Sequence, residues 1–420
     1  MSSWEKIDQE IIWHPFSPLA GNKPIYVKKA RGLYLHTESG RRIMDVISSW
    51  WVNVHGHAHP KIAKAIARQA ARLEQVIFAG FTHKPAIKLS KTLIELLPTQ
   101  TKVFFSDNGS TSTEVALKLA IQYWYNKGKK RKKIIAIEGA YHGDTFGAMS
   151  LGGKNTFTHP FIDYMFDVEF LPFPHGDGSP TLEAMKQAVK GQEAAAFIFE
   201  PLVQGAGGMR MYAAEVLDGL VRIARENEVI TIADEVMTGF GRTGKMFACD
   251  YLKNKPDIYC LSKGVTGGFL PLGLTLVNAK IADAFDSKDK EKAFFHGHSY
   301  TANPLACAAA NASMKLLRKN KVQKAIDMIS RKQAAFVATI EVNDKIADAR
   351  SQGTIMAIEL SSNDPGYTSS IKERIYDHFM ARDILLRPLG NVIYMIPPFI
   401  ITEEELDHVY TEIMGFLAAL

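Results

Sequence analysis

The chain has 420 residues, of which 46% are hydrophobic and 22% are charged, proportions that suit a globular protein with a large core and more than one domain. Fifty Lys and Arg residues against 44 Asp and Glu residues give a net charge of +6, too small to indicate binding to nucleic acid. The N-terminal residues lack the apolar core of a signal peptide, and no apolar stretch is long enough to span a membrane. Three cysteines without ligand-like spacing suit a reducing compartment, so we expect a cytoplasmic protein.

The first segment of the chain predicts short strands around a turn at Gly40, followed by the sequence Ser-Ser-Trp-Trp at 48–51. The two adjacent tryptophans can belong to the core or form the wall of a pocket. Histidines at 55, 57 and 59 follow. Their mixed spacing, with no Cys or Glu at ligand distance, argues against a metal site, and we expect none.

A strand, a glycine-containing turn and a helix are predicted between 103 and 120. Thr111 and Glu114 have the spacing of a capping box at the start of that helix. Gly109 and Ser110 place free backbone N–H groups and a hydroxyl at the positive end of the helix, where a phosphate can bind. A plain helix cap without a ligand explains the same residues.

Apolar runs of strand length recur along the chain and are mostly separated by segments of helix length. They predict an α/β fold with one large, mostly parallel, seven-stranded sheet flanked by helices. A smaller α+β domain is predicted after about residue 310. The runs begin at Val103, Lys133, Val168, Ala195, Val229, Asp257 and Leu274. We expect an N-terminal segment 1–55 that completes the small domain, a large domain 56–310 and a C-terminal small domain 311–420.

Two of these runs have residues that can take part in catalysis at or directly after their carboxyl ends. Asp234 ends one run, and Lys263 follows another and precedes several glycines. Ligands bind beyond the carboxyl ends of strands in open α/β sheets, so these two side chains can face one ligand. A lysine and an aspartate in this arrangement suit pyridoxal phosphate, with the lysine as Schiff-base partner and the acid beside the pyridinium nitrogen. A buried ion pair is the alternative.

The basic run 127–133 joins a predicted helix to a predicted strand, and we interpret it as a solvated connection. A glycine-rich loop at 139–147 follows that strand. Its glycines allow a close approach to a ligand, and Tyr141 or His142 can stack on a flat ring.

Several longer motifs occur together with these features. They are Trp-His-Pro at 13–15, Ser-Ser-Trp-Trp at 48–51, Tyr-His-Gly-Asp-Thr-Phe-Gly at 141–147, Gln-Gly-Ala-Gly-Gly at 204–208 and Gly-Phe-Gly-Arg-Thr-Gly at 239–244. On these motifs the chain resembles the class III pyridoxal-phosphate aminotransferases of fold type I over nearly its whole length. Within that family it is most similar to the members that convert 8-amino-7-oxononanoate to 7,8-diaminononanoate in biotin biosynthesis.

The resemblance implies a role for individual residues. Lys263 and Asp234 are the catalytic pair. The cofactor, pyridoxal phosphate, is held by that pair together with Gly109, Ser110, Tyr141, His298 and Ser299. The substrates contact Phe16, Trp51, Tyr141, Asp144, Lys263, Gly297 and Arg387, and the arginine binds a carboxylate. The segment 297–299 reaches the cofactor of the other subunit in a homodimer with shared active sites.

The resemblance implies S-adenosylmethionine as the amino donor in a ping-pong reaction. Phe16 departs from the tyrosine that usually ends the N-terminal motif, and some relatives with phenylalanine there use lysine as donor, so the same acceptor with lysine is one alternative. Another class III ω-aminotransferase is a second, although Ala206 stands where ornithine-type enzymes carry a glutamate. A cofactor-binding protein without catalysis is a third, and the presence of both Lys263 and Asp234 argues against it.

Overall fold

The computed structural model describes residues 3–21, 23–155, 157–362, 369 and 371–420. The strands are β1 Val27–Arg31, β2 Tyr34–Thr37, β3 Arg42–Asp45, β4 Gln100–Ser106, β5 Lys133–Ile137, β6 Val168–Leu171, β7 Ala194–Phe199, β8 Val203–Gln204, β9 Arg210–Met211, β10 Ile230–Asp234, β11 Ile258–Leu261, β12 Gly273–Asn278, β13 Ile346–Gln352, β14 Ile355–Leu360, β15 Ile384–Leu385 and β16 Val392–Met395. The helices are α1 Ser3–Ile11, α2 Ser48–Trp51, α3 Pro60–Ala70, α4 Lys84–Leu96, α5 Gly109–Asn126, α6 Phe146–Ser150, α7 Ser179–Ala188, α8 Ala214–Glu226, α9 Ala279–Ala282, α10 Pro304–Leu317, α11 Asn320–Val337, α12 Ile371–Met380 and α13 Glu403–Ala418.

A seven-stranded sheet with the order β4-β12-β11-β10-β7-β5-β6 forms the centre of the molecule. Its strands are the seven apolar runs that the sequence predicts. The strands β11, β10, β7, β5 and β6 are parallel, and β12 runs antiparallel to both of its neighbours, β11 and β4. All residues of β7, β10 and β11 are buried because helices cover both faces of the sheet. The predicted α/β fold of type I is therefore confirmed.

Two smaller sheets contain the C-terminal strands. One has the order β13-β14-β16, and the other, β1-β2-β3-β15, pairs N-terminal strands with Ile384–Leu385 near the C-terminus. The parallel pairing of β3 with β15 ties the two ends of the chain together. The division into 1–55, 56–310 and 311–420 stays a prediction. If segment 1–55 completes the C-terminal small domain, the two must be in contact, and the pairing of β3 with β15 is such a contact.

One local prediction about polar residues is wrong, and another has one exception. The capping box of α5 is formed by Asn108 and Thr111, because the helix begins at Gly109 rather than after Thr111. Glu114 instead accepts hydrogen bonds from the Thr145 hydroxyl and the Ala148 amide. The basic run 127–133 is mostly exposed, in agreement with a solvated connection, but Arg131 is buried with its guanidinium 4.0 Å from the centroid of the Trp124 ring.

The histidines at 55, 57 and 59 serve the local structure. His55 bonds to Ser313, whereas His57 lies between Asp45 and Asn53. In the described ranges, no group of three or more His, Cys, Asp and Glu has an arrangement that can hold a metal ion. No helix in those same ranges has the length and apolar character needed to cross a membrane.

Candidate active site

The loops that follow β4, β5, β7, β10 and β11 lie at one edge of the large sheet. This follows from the strand directions, because all five of these strands end at that edge. Together with the N-terminal segment they enclose a cavity of about 690 Å³, which is a usual size for the binding site of a small molecule or cofactor. The predicted site therefore lies at the carboxyl edge of the sheet.

Asp234 is the last residue of β10 and is buried at the floor of this cavity. One of its carboxylate oxygens, Oδ2, lies 2.7 Å from Nδ1 of His142, and the other accepts a hydrogen bond from the Val236 amide at 3.1 Å. His142 comes from the glycine-rich loop after β5 and is also buried. His142 and the Val236 amide hold the carboxylate in a fixed orientation. A group that faces one particular atom of a ligand needs such an orientation.

Lys263 follows β11 and lines the cavity, with its ammonium nitrogen 4.7 Å from the centroid of the Trp51 ring. Burial lowers the pKa of the Lys263 amine, whereas the nearby carboxylates of Asp234 and Glu200 act in the opposite direction. The backbone at Lys263 has a positive φ of 44°. Such strain in a non-glycine residue persists only where the surrounding structure enforces it, and it is concentrated at functional sites.

Gly109 and Ser110 are the first two residues of α5, and both line the cavity. Their N–H groups belong to the first turn of the helix, where the chain itself offers no helical partner. A Cβ at Gly109 would lie 2.8 Å from Val236, and one at Gly143 would lie 2.2 Å from the Ser110 hydroxyl. Glycine at both positions therefore allows the neighbouring segments to pack closely around the start of α5 and form a cradle at the cavity, where a helix N-terminus favours an anion such as phosphate.

The segment 48–51 carries the two tryptophans into the cavity on a strained backbone. Ser48, Ser49 and Trp51 have positive φ values of 54°, 60° and 64°. The buried carboxylate of Asp45 holds this turn by accepting hydrogen bonds from the amides of Ile47 and Ser49. The Trp51 indole N–H donates to Tyr394 at 3.0 Å, which fixes the ring against the cavity wall.

Tyr141 and Glu200 connect the loops around the cavity. Burial raises the pKa of the Tyr141 phenol and Asp144 adds to the effect, so the phenol stays neutral. The Glu200 carboxylate accepts hydrogen bonds from the amides of Tyr141 and Gly205, each at 3.0 Å. Burial raises the pKa of Glu200 to about 7, with His142 lowering it and Asp234 raising it.

Most of the predicted site residues meet in this one cavity. Those that line it are Phe16, Trp51, Gly109, Ser110, Tyr141, Asp144, Asp234 and Lys263. Arg387 does not line it directly, but its guanidinium lies 5.1 Å from the centroid of the Trp50 ring, which does. Gly297, His298 and Ser299 lie outside this cavity on a partly exposed loop. The roles assigned to all of these residues stay predictions.

Sequence reasoning gave no role to Glu200 and Phe157, which line the cavity, and it left Trp50 open between the core and the wall of a pocket. Glu200 could have been found from the sequence, because it directly follows the apolar run of β7, just as Asp234 stands at the end of the apolar run of β10. The two strands are parallel neighbours, so their carboxyl ends lie side by side. Trp50 and Phe157 pack on Phe16 with ring centroids 5.3 and 5.9 Å away, and form an aromatic cluster at the cavity. Nothing in the spacing of these three aromatic residues indicates their contact.

Comparisons with known proteins agree with this geometry. The family model described as "Aminotransferase class-III" matches residues 16–417. The adenosylmethionine-8-amino-7-oxononanoate aminotransferase of Synechococcus elongatus is 47% identical over 420 residues, covering 97% of this chain and 98% of the relative. The crystal structure of the enzyme of the same name from Methanocaldococcus jannaschii superposes with a TM-score of 0.94 at 35% identity, covering 99% of this chain and 98% of that one. A PLP-bound amine transaminase from an uncultivated Pseudomonas species superposes with a TM-score of 0.91 at 29% identity, covering 97% and 98% of the two chains.

Proposed function

Because the chain belongs to the class III aminotransferases, we propose that it transfers an amino group to 8-amino-7-oxononanoate, with S-adenosylmethionine as the amino donor, and so forms 7,8-diaminononanoate in biotin biosynthesis. Pyridoxal phosphate is the cofactor. The observation that carries the proposal is that Lys263 and Asp234 face one cavity from neighbouring parallel strands. The names of close, full-length relatives support the choice of substrates.

The residues present fit pyridoxal phosphate. The open cradle at Gly109 and Ser110 would take the phosphate, Tyr141 would lie against the ring, and the carboxylate of Asp234 would pair with the ring nitrogen. Lys263 would hold the cofactor through its amine. When bound, pyridoxal phosphate supplies an electron sink for the pair of electrons released as the substrate Cα–H bond breaks.

Two residues of the chain, Asp234 and Lys263, would assist the transfer of the substrate Cα proton. The Asp234 carboxylate, held by His142, favours a positive charge on a nitrogen beside it, an effect of about 1–3 pKa units for a close pair. Lys263 has an amine whose pKa is lowered by burial, so more of it is neutral and able to accept a proton than in water. Its amine would therefore take the proton from the substrate Cα and deliver it to C4′ of the cofactor, the carbon on the other side of the amino nitrogen.

Substrate selection rests on the aromatic wall and on Arg387. Trp51 and the cluster of Phe16, Trp50 and Phe157 offer apolar faces to the aliphatic chain of the acceptor and can hold the sulfonium of the donor. The guanidinium of Arg387, beside Trp50, would bind a substrate carboxylate in a two-pronged contact.

We further propose a homodimer in which the segment 297–299 of one subunit completes the active site of the other. Gly297, His298 and Ser299 lie outside the cavity of their own chain. This segment is bonded to the residues before α4, since Gln75 donates to the Ser299 carbonyl. The two segments expose four large apolar side chains, Ile77, Phe81, Phe295 and Tyr300, as a surface that a second copy can cover. A cytoplasmic location is supported by the three buried, unpaired cysteines.

The test is a product assay with purified protein loaded with pyridoxal phosphate. With 8-amino-7-oxononanoate present, S-adenosylmethionine and lysine are supplied separately, and 7,8-diaminononanoate is measured by mass spectrometry. We expect product with S-adenosylmethionine. Faster product formation with lysine would establish the alternative donor, and no product with either donor would contradict the proposed acceptor.

Dimer formation is measured independently by light scattering during gel filtration. Mixing an inactive Lys263→Ala protein with an inactive His298→Ala protein should restore part of the activity if the sites are shared, because one of the two sites in a mixed dimer then has both residues intact. A monomer in solution would contradict this part of the proposal.

A further inference from the structure

A second cavity, which shares no lining residue with the active-site cavity, is lined by eight cationic side chains. It has a volume of about 590 Å³ and lies between α3, α4 and α10. From α3 and the residues that follow it come Lys61, Lys64, Arg68 and Arg72. Their spacing of three and four residues places them on one stripe of the helix.

The facing helices add four more positive charges. Lys84 and Lys88 come from the first turns of α4, and Lys315 and Lys319 from the end of α10. Eight cations at one place exceed the net charge of +6 of the whole chain, so the rest of the molecule is slightly acidic. The positive charge of this protein is therefore concentrated at this cavity.

These cations have no compensating carboxylate. Among the residues that the structure describes, no Asp or Glu lines the cavity, and none of the eight takes part in an ion pair. Lys61 lies close enough to Lys319 to lower the pKa of the Lys319 ammonium through a hydrogen bond and through charge repulsion, with Lys315 adding to the repulsion. An anion bound among these cations would reduce their mutual repulsion.

The floor of the cavity differs from its wall. It is formed by small or apolar side chains, Ala65, Pro85, Ala308, Ala312 and Leu316. Asn311 lies among them, and its Nδ2 donates to the carbonyls of Pro85 and Cys307, each at 2.8 Å. Its Oδ1 is buried and has no hydrogen-bond partner in the described part of the chain.

We propose that this cavity binds a polyphosphate anion, either free or carried by a nucleoside. Six of the eight cations are lysines, whose compact ammonium groups suit several phosphates with varied orientation better than one planar carboxylate. The volume is within the range of sites for ligands of nucleotide size. The apolar floor offers a surface for the flat face of a base.

The experiment uses isothermal titration calorimetry on protein saturated with pyridoxal phosphate, so that the phosphate cradle of the active site is filled. The probes are inorganic tripolyphosphate, ATP and inorganic phosphate, each without divalent metal. We expect saturable binding of tripolyphosphate and ATP that weakens as salt is raised, and much weaker binding of inorganic phosphate. Tripolyphosphate has no adenosyl group, so its binding cannot represent occupation of the site for the amino donor.

The variant combines Lys64→Gln, Arg68→Gln and Lys315→Gln, which removes one cluster of charge while keeping good helix-forming residues. Its matched control combines Lys127→Gln, Lys130→Gln and Lys132→Gln in the other basic run, with the same change in net charge. We expect affinity for tripolyphosphate to fall by about tenfold or more in the first protein and by less than about twofold in the second.

The comparison between probes identifies what the cavity recognises. Equal affinity for ATP and tripolyphosphate shows recognition through phosphates alone, and tighter binding of ATP that is lost in the first triple variant shows that the floor takes the base. Both results support the site. Absence of saturable binding to the unaltered protein, as when a second copy covers the cavity, overturns it, and so does an equal loss of affinity in both triple variants.

Discussion

The imidazole of His142 lies 2.7 Å, measured from Nδ1, from Oδ2 of the Asp234 carboxylate, and both side chains are buried. The contact joins the loop after β5 to the end of β10, across the intervening strand β7. A hydrogen bond to a buried charged group is worth about 1.5–3 kcal/mol. We therefore expect His142 to position the acid that is proposed to face the cofactor.

Replacement of His142 by phenylalanine tests this relationship. The aromatic ring keeps most of the volume but removes the hydrogen bond, so kcat should fall by about 10- to 100-fold while KM for the acceptor changes much less. The absorption spectrum of the bound cofactor should also shift, because a loosely held Asp234 controls the protonation of the ring nitrogen less well. The exposed His159→Phe is the control, and an unchanged spectrum with unchanged kcat would remove His142 from this role.

Substitution of Lys263 by alanine should abolish turnover, with a loss of about 10³-fold or more, because in the proposed mechanism the amine both holds the cofactor and moves the proton. Some cofactor should remain bound through the cradle at Gly109 and Ser110, which is independent of the amine. Product formation and the amount of cofactor retained after gel filtration are measured. Lys245→Ala, an exposed lysine with the same charge, serves as the control, and near-normal turnover without Lys263 would contradict the mechanism.

Removal of the Arg387 guanidinium should weaken binding of the acceptor. A charge-assisted, two-pronged contact is worth about 1.5–3 kcal/mol, so KM for 8-amino-7-oxononanoate should rise by about 10- to 100-fold in Arg387→Ala. Arg382→Ala, an exposed arginine that pairs with Glu412, is the matched control. If KM and kcat of the Arg387 variant both equal those of the control, the arginine does not bind the substrate.

Phe16→Tyr tests the choice of donor. Phe16 packs on Trp50 at the cavity, and a tyrosine would add a hydroxyl there without loss of the aromatic face. We expect a modest increase, about two- to tenfold, in the rate at which S-adenosylmethionine converts the cofactor to its amine form, and little change with lysine. The rates are followed by absorbance at equal donor concentrations. Identical rates in both proteins would show that position 16 does not contact the donor.

Glu235 predicts a pH dependence of stability. It is completely buried, and burial raises its pKa to about 7 although the amides of Cys249 and Ala248 and the Thr238 hydroxyl favour its charged form. The folded state therefore holds this proton more tightly than the unfolded state, whose glutamate has an ordinary pKa of about 4.3. Glu235 therefore contributes its full share to the free energy of unfolding below about pH 4.3, and this contribution is lost as the pH rises through about 7.

The matching variant is Glu235→Gln, which cannot titrate. Between pH 4.5 and pH 7.5 the free energy of unfolding of the unaltered protein should fall relative to the variant by up to roughly 3 kcal/mol. Urea titrations at several pH values measure both proteins under the same conditions. A constant difference between them across this range would show that the pKa of Glu235 is not raised in the folded state.

Much of this protein's architecture was predictable from its sequence. All seven apolar runs are strands of the large sheet. The signal is strongest for β7, β10 and β11, because a strand buried on both faces needs apolar side chains throughout and so differs from an amphipathic helix. The pairing of Asp234 with Lys263 in one cavity was predictable for a related reason. Both follow such runs, and in a mostly parallel sheet the carboxyl ends of the strands meet at one edge.

The tertiary structure alone decided which polar side chains meet. Glu114 has the spacing of a capping partner, yet it bonds to Thr145 and Ala148, because α6 packs beside α5 and presents donors to it. The positive φ values at Ser48 and Ser49 could not be read from the chain either, since the energy that holds them comes from Asp45 and from packing against the C-terminal strands. The residues at 48 and 49 have no strong preference of their own for this backbone conformation, so contacts with distant parts of the chain determine it.

The same distinction holds for the sites. Local sequence determined the chemistry available at Lys263, Asp234 and the start of α5, because each lies at the end of a regular element with its own readable pattern. The cationic cavity, by contrast, combines residues from α3 and α4 with residues from α10, which begins at Pro304, whereas α4 ends at Leu96. Each helix alone shows an ordinary solvated face. Only the packing of the three helices brings their charges together, because the energy of that packing comes from the apolar faces they bury and not from the lysines they expose.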